Sequence, residues 1–378
     1  MGVATARLSS SSPAASKQSS LWLRSRRWDL MFITLSVIFV PLPYMIYLFL
    51  VQLGMDPDVG RNAINGFVAI AVGGPHMMST FLRTGLDKDF NKRYPMLIRS
   101  SIIIPIIVVS LAFLNLNLLL TIFFFWASMH VLHQVTYIVE LYNHKESKFV
   151  RKGSAVSLRA RLIDYGVILT CLFPFAALKI SQGSFDIGTN DLTSVIPGFF
   201  QQTWFFVIMT TLFTVAALLF IGKTIVEYRQ GILNIPKTIF ILFTVGVAFT
   251  IPSLDNLDTA FQGLNTWHSF QYLAITFYII KIRQEMGELD QTAPLVARFS
   301  KRTRDSKGLF ILSTMMLIGS VVVFIIVYTI APIVRPGIDG NLHFDIAYYT
   351  SILSFLWIHY YHDHFLFTDF EVLDKAYT

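Results

Sequence analysis

The sequence predicts an all-α, polytopic integral-membrane bundle of about ten transmembrane helices, with both termini in the cytosol. Three observations predict it. Of the 378 residues 54% are hydrophobic and only 14% are charged, where soluble domains carry roughly 25% charged residues. Apolar runs recur along the whole chain, each long enough to supply the ~20 residues that a helix needs to cross a bilayer. The loops between those runs alternate in charge.

Taken in order, residues 1–29 read as a flexible Ser-rich cytosolic tail, with Arg24, Arg26 and Arg27 just before the first span. No short apolar core with a small-residue cleavage site precedes them, so no signal peptide is expected. Residues 30–367 read as one transmembrane domain, with spans near 30–53, 64–84, 97–113, 118–141, 162–181, 199–222, 237–253, 260–281, 308–331 and 346–367. The run from Ile102 to Val139 is too long for one span, and Asn115 and Asn117 are where a tight turn would break it. Residues 368–378 complete the chain as a second cytosolic tail.

The loops test this count. Loops 85–96, 142–161, 223–237 and 282–307 are basic, with Lys88, Arg93, Arg151, Arg161, Lys223, Lys237 and Arg283 among their charges. The loops between them carry Asp56, Asp58, Asp186, Asp191, Asp255 and Asp258 instead. The positive-inside rule then puts both termini in the cytosol of a multi-pass protein, and the plasma (inner) membrane is the expected location. The net charge of +7 comes from residues flanking apolar spans, so it gives no sign of nucleic-acid binding. The single cysteine, Cys171, excludes an intramolecular disulfide, a Cys-rich zinc site and a Cys-ligated iron–sulfur cluster.

Seven of the nine histidines lie inside these spans: His76, His130, His133, His268, His359, His362 and His364. An ionisable ring in hydrocarbon is costly unless something binds it, which makes each a candidate for function. His76, His130, His133, His268 and His359 fall on even-numbered spans at depths that agree within roughly 8 Å at 1.5 Å rise per residue. His130 and His133 are an i, i+3 pair on one face, and His359 with His362 repeats the spacing. The expectation is one metal site built from His76, His130, His133, His268, His359 and His362. Tyr137, Glu140 and Tyr272 are the candidate catalytic groups beside it, and Asn265, Gln271 and Asp363 are further polar partners. Imidazole suits iron, copper and zinc. An all-histidine site in a bilayer suits non-haem Fe(II) that activates O₂ on a lipid-soluble substrate, because neutral ligands add no charge to a low dielectric.

Gly74-Pro75-His76 in an early span and Trp267-His268-Ser269 in a late one resemble motifs of the retinal-forming β-carotene dioxygenases, a family of polytopic membrane proteins. The resemblance implies iron held by histidines from several helices, with His76 and His268 as ligands and His130 or His133 as the family's central histidine. It implies a carotenoid as substrate. The family places a second histidine four residues after the first in its late motif, and here that position is Tyr272. The clustered histidine boxes of membrane fatty-acid desaturases are not present in this sequence.

Two other readings use the same residues. A haem protein for electron transfer or quinone oxidation would take histidines from facing helices as axial ligands. A transporter would use them as proton or metal relays. An oxygenase would also be able to dock an acidic electron donor on its basic cytosolic loops, although the positive-inside rule already accounts for those charges.

Overall fold

The computed structural model describes residues 21–187, 190–255, 257–302, 306–337 and 340–376. It is an almost wholly helical bundle, and among the described residues the one sheet is the two-stranded antiparallel hairpin Asp186–Ile187/Asn190–Asp191. Among the described residues, ten long helical stretches carry the fold. They are α1 (Arg26–Gln52), α2 (57–83), α3 (Pro95–Leu114), α4 (Leu116–Phe149), α5 (Leu158–Ser181), α6 (Thr203–Arg229), α7 (Ile235–Ser253), α8 (Leu257–Glu285), α9 (Lys307–Val334) and α10 (Gly340–Leu366). Residues 1–20 of the expected N-terminal tail, and 377–378 of the C-terminal one, lie outside the described residues. The last part of that N-terminal tail is docked, with Leu21, Trp22 and Leu23 buried. Asp29, itself buried, holds this segment by accepting from Leu23 N at 2.6 Å, Arg24 N at 3.1 Å and the Tyr142 hydroxyl at 3.0 Å.

Seven of the ten stretches are long and apolar enough to cross a membrane: α1, α3, α4, α5, α6, α7 and α9. The other three, α2, α8 and α10, are as long but are not among the seven, and they carry His76, His268 and His359. Among the seven, apolar character and exposure go together: only 6% of the most apolar stretch of α6 is buried, against 61% for that of the less apolar α4. Outer helices face the surroundings and are apolar all round, whereas inner ones face protein and tolerate polar groups that neighbouring helices satisfy.

The expected break between the third and fourth helices falls at Asn115. Its side chain caps the new helix by accepting from Leu118 N at 3.0 Å, which satisfies one of the orphan amides of the first turn. At the same end the hairpin is pinned, because Asn190 Nδ2 donates to Asp345 Oδ2 at 3.1 Å and Arg61 lies 3.8 Å from Asp345. Two glycines let the inner helices close up. A Cβ on Gly263 of α8 would overlap the Val40 carbonyl of α1, and one on Gly74 would overlap the Ala69 carbonyl and the Leu317 side chain. Gly74 follows a π-helical turn, Ala69–Gly73, and such turns re-aim the residues that follow them.

The basic end contains a departure from the sequence reading. Lys223 and Lys237 are not solvated loop charges. Lys237 is 1% exposed and reaches Asn143 Oδ1 at 2.8 Å, Glu146 at 3.2 Å and Asp164 at 3.5 Å, while Lys223 meets Asp164 at 2.9 Å and Glu227 at 3.1 Å. This network ties α4, α5, α6 and α7 together. Lys237→Met leaves buried carboxylates short of a cation, and losing one partner of a buried pair costs about 3–5 kcal/mol. The variant is expected to unfold well below the parent temperature in detergent, with no change in bound metal per folded molecule.

Candidate metal centre

Four histidines from four helices meet at the centre of the bundle: His76 of α2, His130 of α4, His268 of α8 and His359 of α10. Each offers one ligand nitrogen, and the four nitrogens lie within 4.8 Å of one another. All four side chains are buried, none more than 4% exposed. The rings form a closed circuit of edge-to-face contacts. His76 meets His268 at 4.7 Å and His359 at 4.4 Å between centroids, and His130 meets the same two at 4.9 and 4.8 Å.

A hydroxyl lies beside the second nitrogen of two rings. Ser269 Oγ is 2.8 Å from His76 Nδ1 and 3.2 Å from Asn265 Oδ1. Thr80 Oγ1 is 2.5 Å from His359 Nδ1, 2.8 Å from the Tyr272 hydroxyl and 3.0 Å from Asp363 Oδ1. In the tautomer in which each Nδ1 donates to its hydroxyl, both Nε2 atoms present a lone pair. Nε2 of His76, His130, His268 and His359 all lack a hydrogen-bond partner, as does Nδ1 of His268. A buried polar atom without a partner costs roughly 1–3 kcal/mol, so four together need something to bind.

A single divalent ion fits. Nitrogens on opposite sides of an ion at ~2.1 Å stand ~4.2 Å apart, so a 4.8 Å spread closes with a shift of less than about an ångström. Hydroxyls that fix the ring through its far nitrogen are what a histidine-ligated metal requires. One carboxyl group lies alongside. Asp363 Oδ1 accepts from Tyr272 at 2.7 Å and from Thr80, and its unpartnered Oδ2 is 3.4 Å from His359 Nδ1 and 3.7 Å from His130 Nε2.

The expected residues divide into two groups. His76, His130, His268 and His359 come together, and Tyr272 lies against them, 4.8 Å from His76 between ring centroids. His133 and His362 do not join them. His133 lies 5.5 Å from His364 and 5.1 Å from Phe367, on the wall of an adjoining cleft. His362 ties three helices, with Nδ1 3.1 Å from Thr84 Oγ1 and Nε2 3.2 Å from the Leu97 carbonyl. The reason is angular. A step of three residues turns ~60° away from the first ring and rises ~4.5 Å, so when four helices converge on one point each has room for one ring. Tyr137 stacks on Phe367 and Phe370 in that cleft. Glu140 is engaged by Arg161 at 2.9 Å, Asn143 at 2.8 Å and the Tyr165 hydroxyl, away from the four histidines.

Thr80 and Ser269 are the functional candidates that the sequence reading did not single out. A usable signal existed for Thr80, which follows His76 by one helical turn, as Asp363 follows His359. Ser269 adjoins His268 in sequence but serves His76, which no spacing along one chain reveals.

The cleft beside the site has a volume of about 590 Å³ and is lined by His130, His133, Tyr137, Glu140, Trp126, Tyr360, Tyr361, Phe367 and Phe370 among others. Tyr360 stacks on His130 with centroids 4.1 Å apart, so the aromatic wall runs up to the histidine group. The chain matches no family model, no curated protein and no solved structure.

Alanine at any of His76, His130, His268 or His359 is expected to abolish stoichiometric metal, measured by plasma mass spectrometry on purified protein. His133→Ala and His362→Ala are expected to keep it. Ser269→Ala and Thr80→Ala should weaken metal affinity by about 10–100-fold, read by chelator competition.

Proposed function

We propose that the four-histidine group holds a non-haem iron ion and that the protein is a membrane oxygenase acting on a lipid-soluble substrate. The observation that carries this reading is the convergence of four buried imidazoles, each offering a nitrogen within 4.8 Å of the others, in rings whose Nε2 atoms have no hydrogen-bond partner. The donor set is consistent with it: four neutral nitrogens and no thiolate suit Fe(II). Bound iron would supply the coordination and activation of O₂.

The chain's own residues have distinct tasks in this reading. Ser269 and Thr80 keep the Nδ1 protons of His76 and His359 and so aim their Nε2 lone pairs inward. Asp363, held by Tyr272 and Thr80, places a carboxyl group where it offsets part of the ion's charge in a low dielectric. The aromatic cleft ending at His130 takes the hydrocarbon body of the substrate and excludes water from the reacting face. The fragments Gly74-Pro75-His76 and Trp267-His268-Ser269 support a carotenoid or related polyene, and both supply rings of the group.

The haem reading fits less well. A bis-histidine haem needs an open plane between its axial ligands, and here two further imidazoles occupy that plane. A relay for transport would distribute polar groups along a path, whereas these four nitrogens face one point. The proposal further places the basic loops, and both termini, in the cytosol.

The test is metal analysis with a visible spectrum, followed by oxygen uptake on detergent-solubilised β-carotene and other polyenes. Iron near one per chain, no Soret band and substrate-dependent oxygen uptake are expected. A Soret band, or full metal content in the His76→Ala and His268→Ala variants, would falsify the proposal.

A further inference from the structure

A second cavity, about 880 Å³, lies on the opposite side of α8 from the metal centre. Its walls come from α1, α2, α8 and the start of α9, and it is strongly aromatic: Trp28, Phe32, Phe67, Phe270, Phe277 and Tyr278 all face it. Phe67 is 67% exposed at its outer margin, so the cavity is a groove open along its side and not a sealed void. None of its lining residues belongs to the four-histidine group or to the cleft beside it.

The groove is apolar along its length and cationic at one end. Arg24 and Lys281 line the basic end, with Glu285 as the acid beside them. The Arg24 guanidinium sits over the Tyr278 ring at 5.0 Å and the Trp28 ring at 5.9 Å. Exposed Arg26 and Arg27 adjoin it, so the local charge is positive. Lys281 Nζ is steadied by the Ser300 carbonyl at 2.7 Å. From Lys281 to Thr266, the groove follows about 22 Å of helix at 1.5 Å per residue, longer than the ~15 Å hydrocarbon depth of one leaflet.

We propose that this groove is a binding site for one anionic glycerophospholipid of the leaflet at the basic end, with its phosphate at Arg24 and Lys281 and an acyl chain along Phe32, Phe270 and Phe277. Charge complementarity selects the occupant. A wholly apolar molecule has no use for a guanidinium poised at the mouth, and a free phosphate has no use for the aromatic length. Basic residues near a membrane surface attract anionic headgroups by about 1 kcal/mol each, and the groove adds burial of the chain at about 0.8 kcal/mol per CH₂. The inference rests on the chain spanning a bilayer and is independent of the metal reading.

The experiment compares delipidated full-length protein in nanodiscs of phosphatidylcholine alone, or with added phosphatidylglycerol, by thermal unfolding and by native mass spectrometry. Phosphatidylglycerol is expected to raise the unfolding temperature by roughly 5 °C and to remain bound at one molecule per chain. Arg24→Glu should remove the preference for the anionic lipid while leaving metal content unchanged. Phe277→Trp, which fills the groove without touching the cations, should lower occupancy and keep whatever headgroup preference remains. Equal retention of both lipids, a shift reproduced by inorganic phosphate in detergent, an unaltered preference in Arg24→Glu, or a neutral hydrocarbon as the tightly held molecule would each overturn the proposal. Loss of metal binding in the histidine variants has no bearing on these readouts, so the two readings fail separately.

Discussion

Four buried imidazoles, each bringing a nitrogen within 4.8 Å of the others and each with an Nε2 that has no hydrogen-bond partner, are the constraint around which the other features are arranged. An isolated buried imidazole can be satisfied by a neighbouring helix. In this group the Nε2 atoms of all four rings have no hydrogen-bond partner, so the rings do not satisfy one another. Gly263 lets α8 approach α1 closely, and Gly74, after a π-helical turn, lets α2 pack against Leu317 of α9, so two of the ligand-bearing helices are seated tightly on their neighbours. The two hydroxyls then set ring orientation. Geometry of this kind is expensive for a helical bundle unless an ion returns the lost interaction energy.

The remaining helices protect that centre by doing different things. Those with the most apolar sequences form the periphery, with α6 the least buried of the seven. The charged network on Lys223 and Lys237 ties four helices at one end, and the Arg61, Asp345 and Asn190 contacts tie the other. Between these clamps the polar interior is free to specialise. The aromatic cleft reaches the histidines from one side, while the aromatic groove with its cationic mouth lies across α8 from them. The cleft and the groove are thereby separated by a single helix.

Asp363 connects the centre to its surroundings. It follows His359 by one turn, and it receives Tyr272 from α8 and Thr80 from α2. The same three side chains therefore fix the orientation of His359 and link three of the four helices that contribute ligands. A substitution in this triad acts on ring placement and helix packing together, which distinguishes it from one at His133 or His362, whose contacts lie outside the group.

Much of this was legible in the sequence because it depends on quantities local to the chain. Apolar length identified most of the long helices, Asn115 marked the break between two of them, and matched depth picked out His76, His130, His133, His268 and His359, of which all but His133 meet. Depth along a helix follows from residue count alone. Azimuth does not. Whether His133 or His130, His362 or His359, faced the centre turned on ~60° of rotation about each helix, and that angle is set by how neighbours pack. The i, i+3 spacing therefore identified the right helices but over-counted the ligands. The buried Lys223 and Lys237 were read as loop charges because Asp164, which both of them meet, and Glu146, which meets Lys237, lie on other helices. The sequence by itself determined the helical elements and the histidine-bearing positions, since these follow from hydropathy and rise per residue. Only the tertiary structure decided which rings meet and which hydroxyls orient them, since those depend on contacts between residues nearly two hundred or more positions apart, such as Ser269 with His76 and Thr80 with His359.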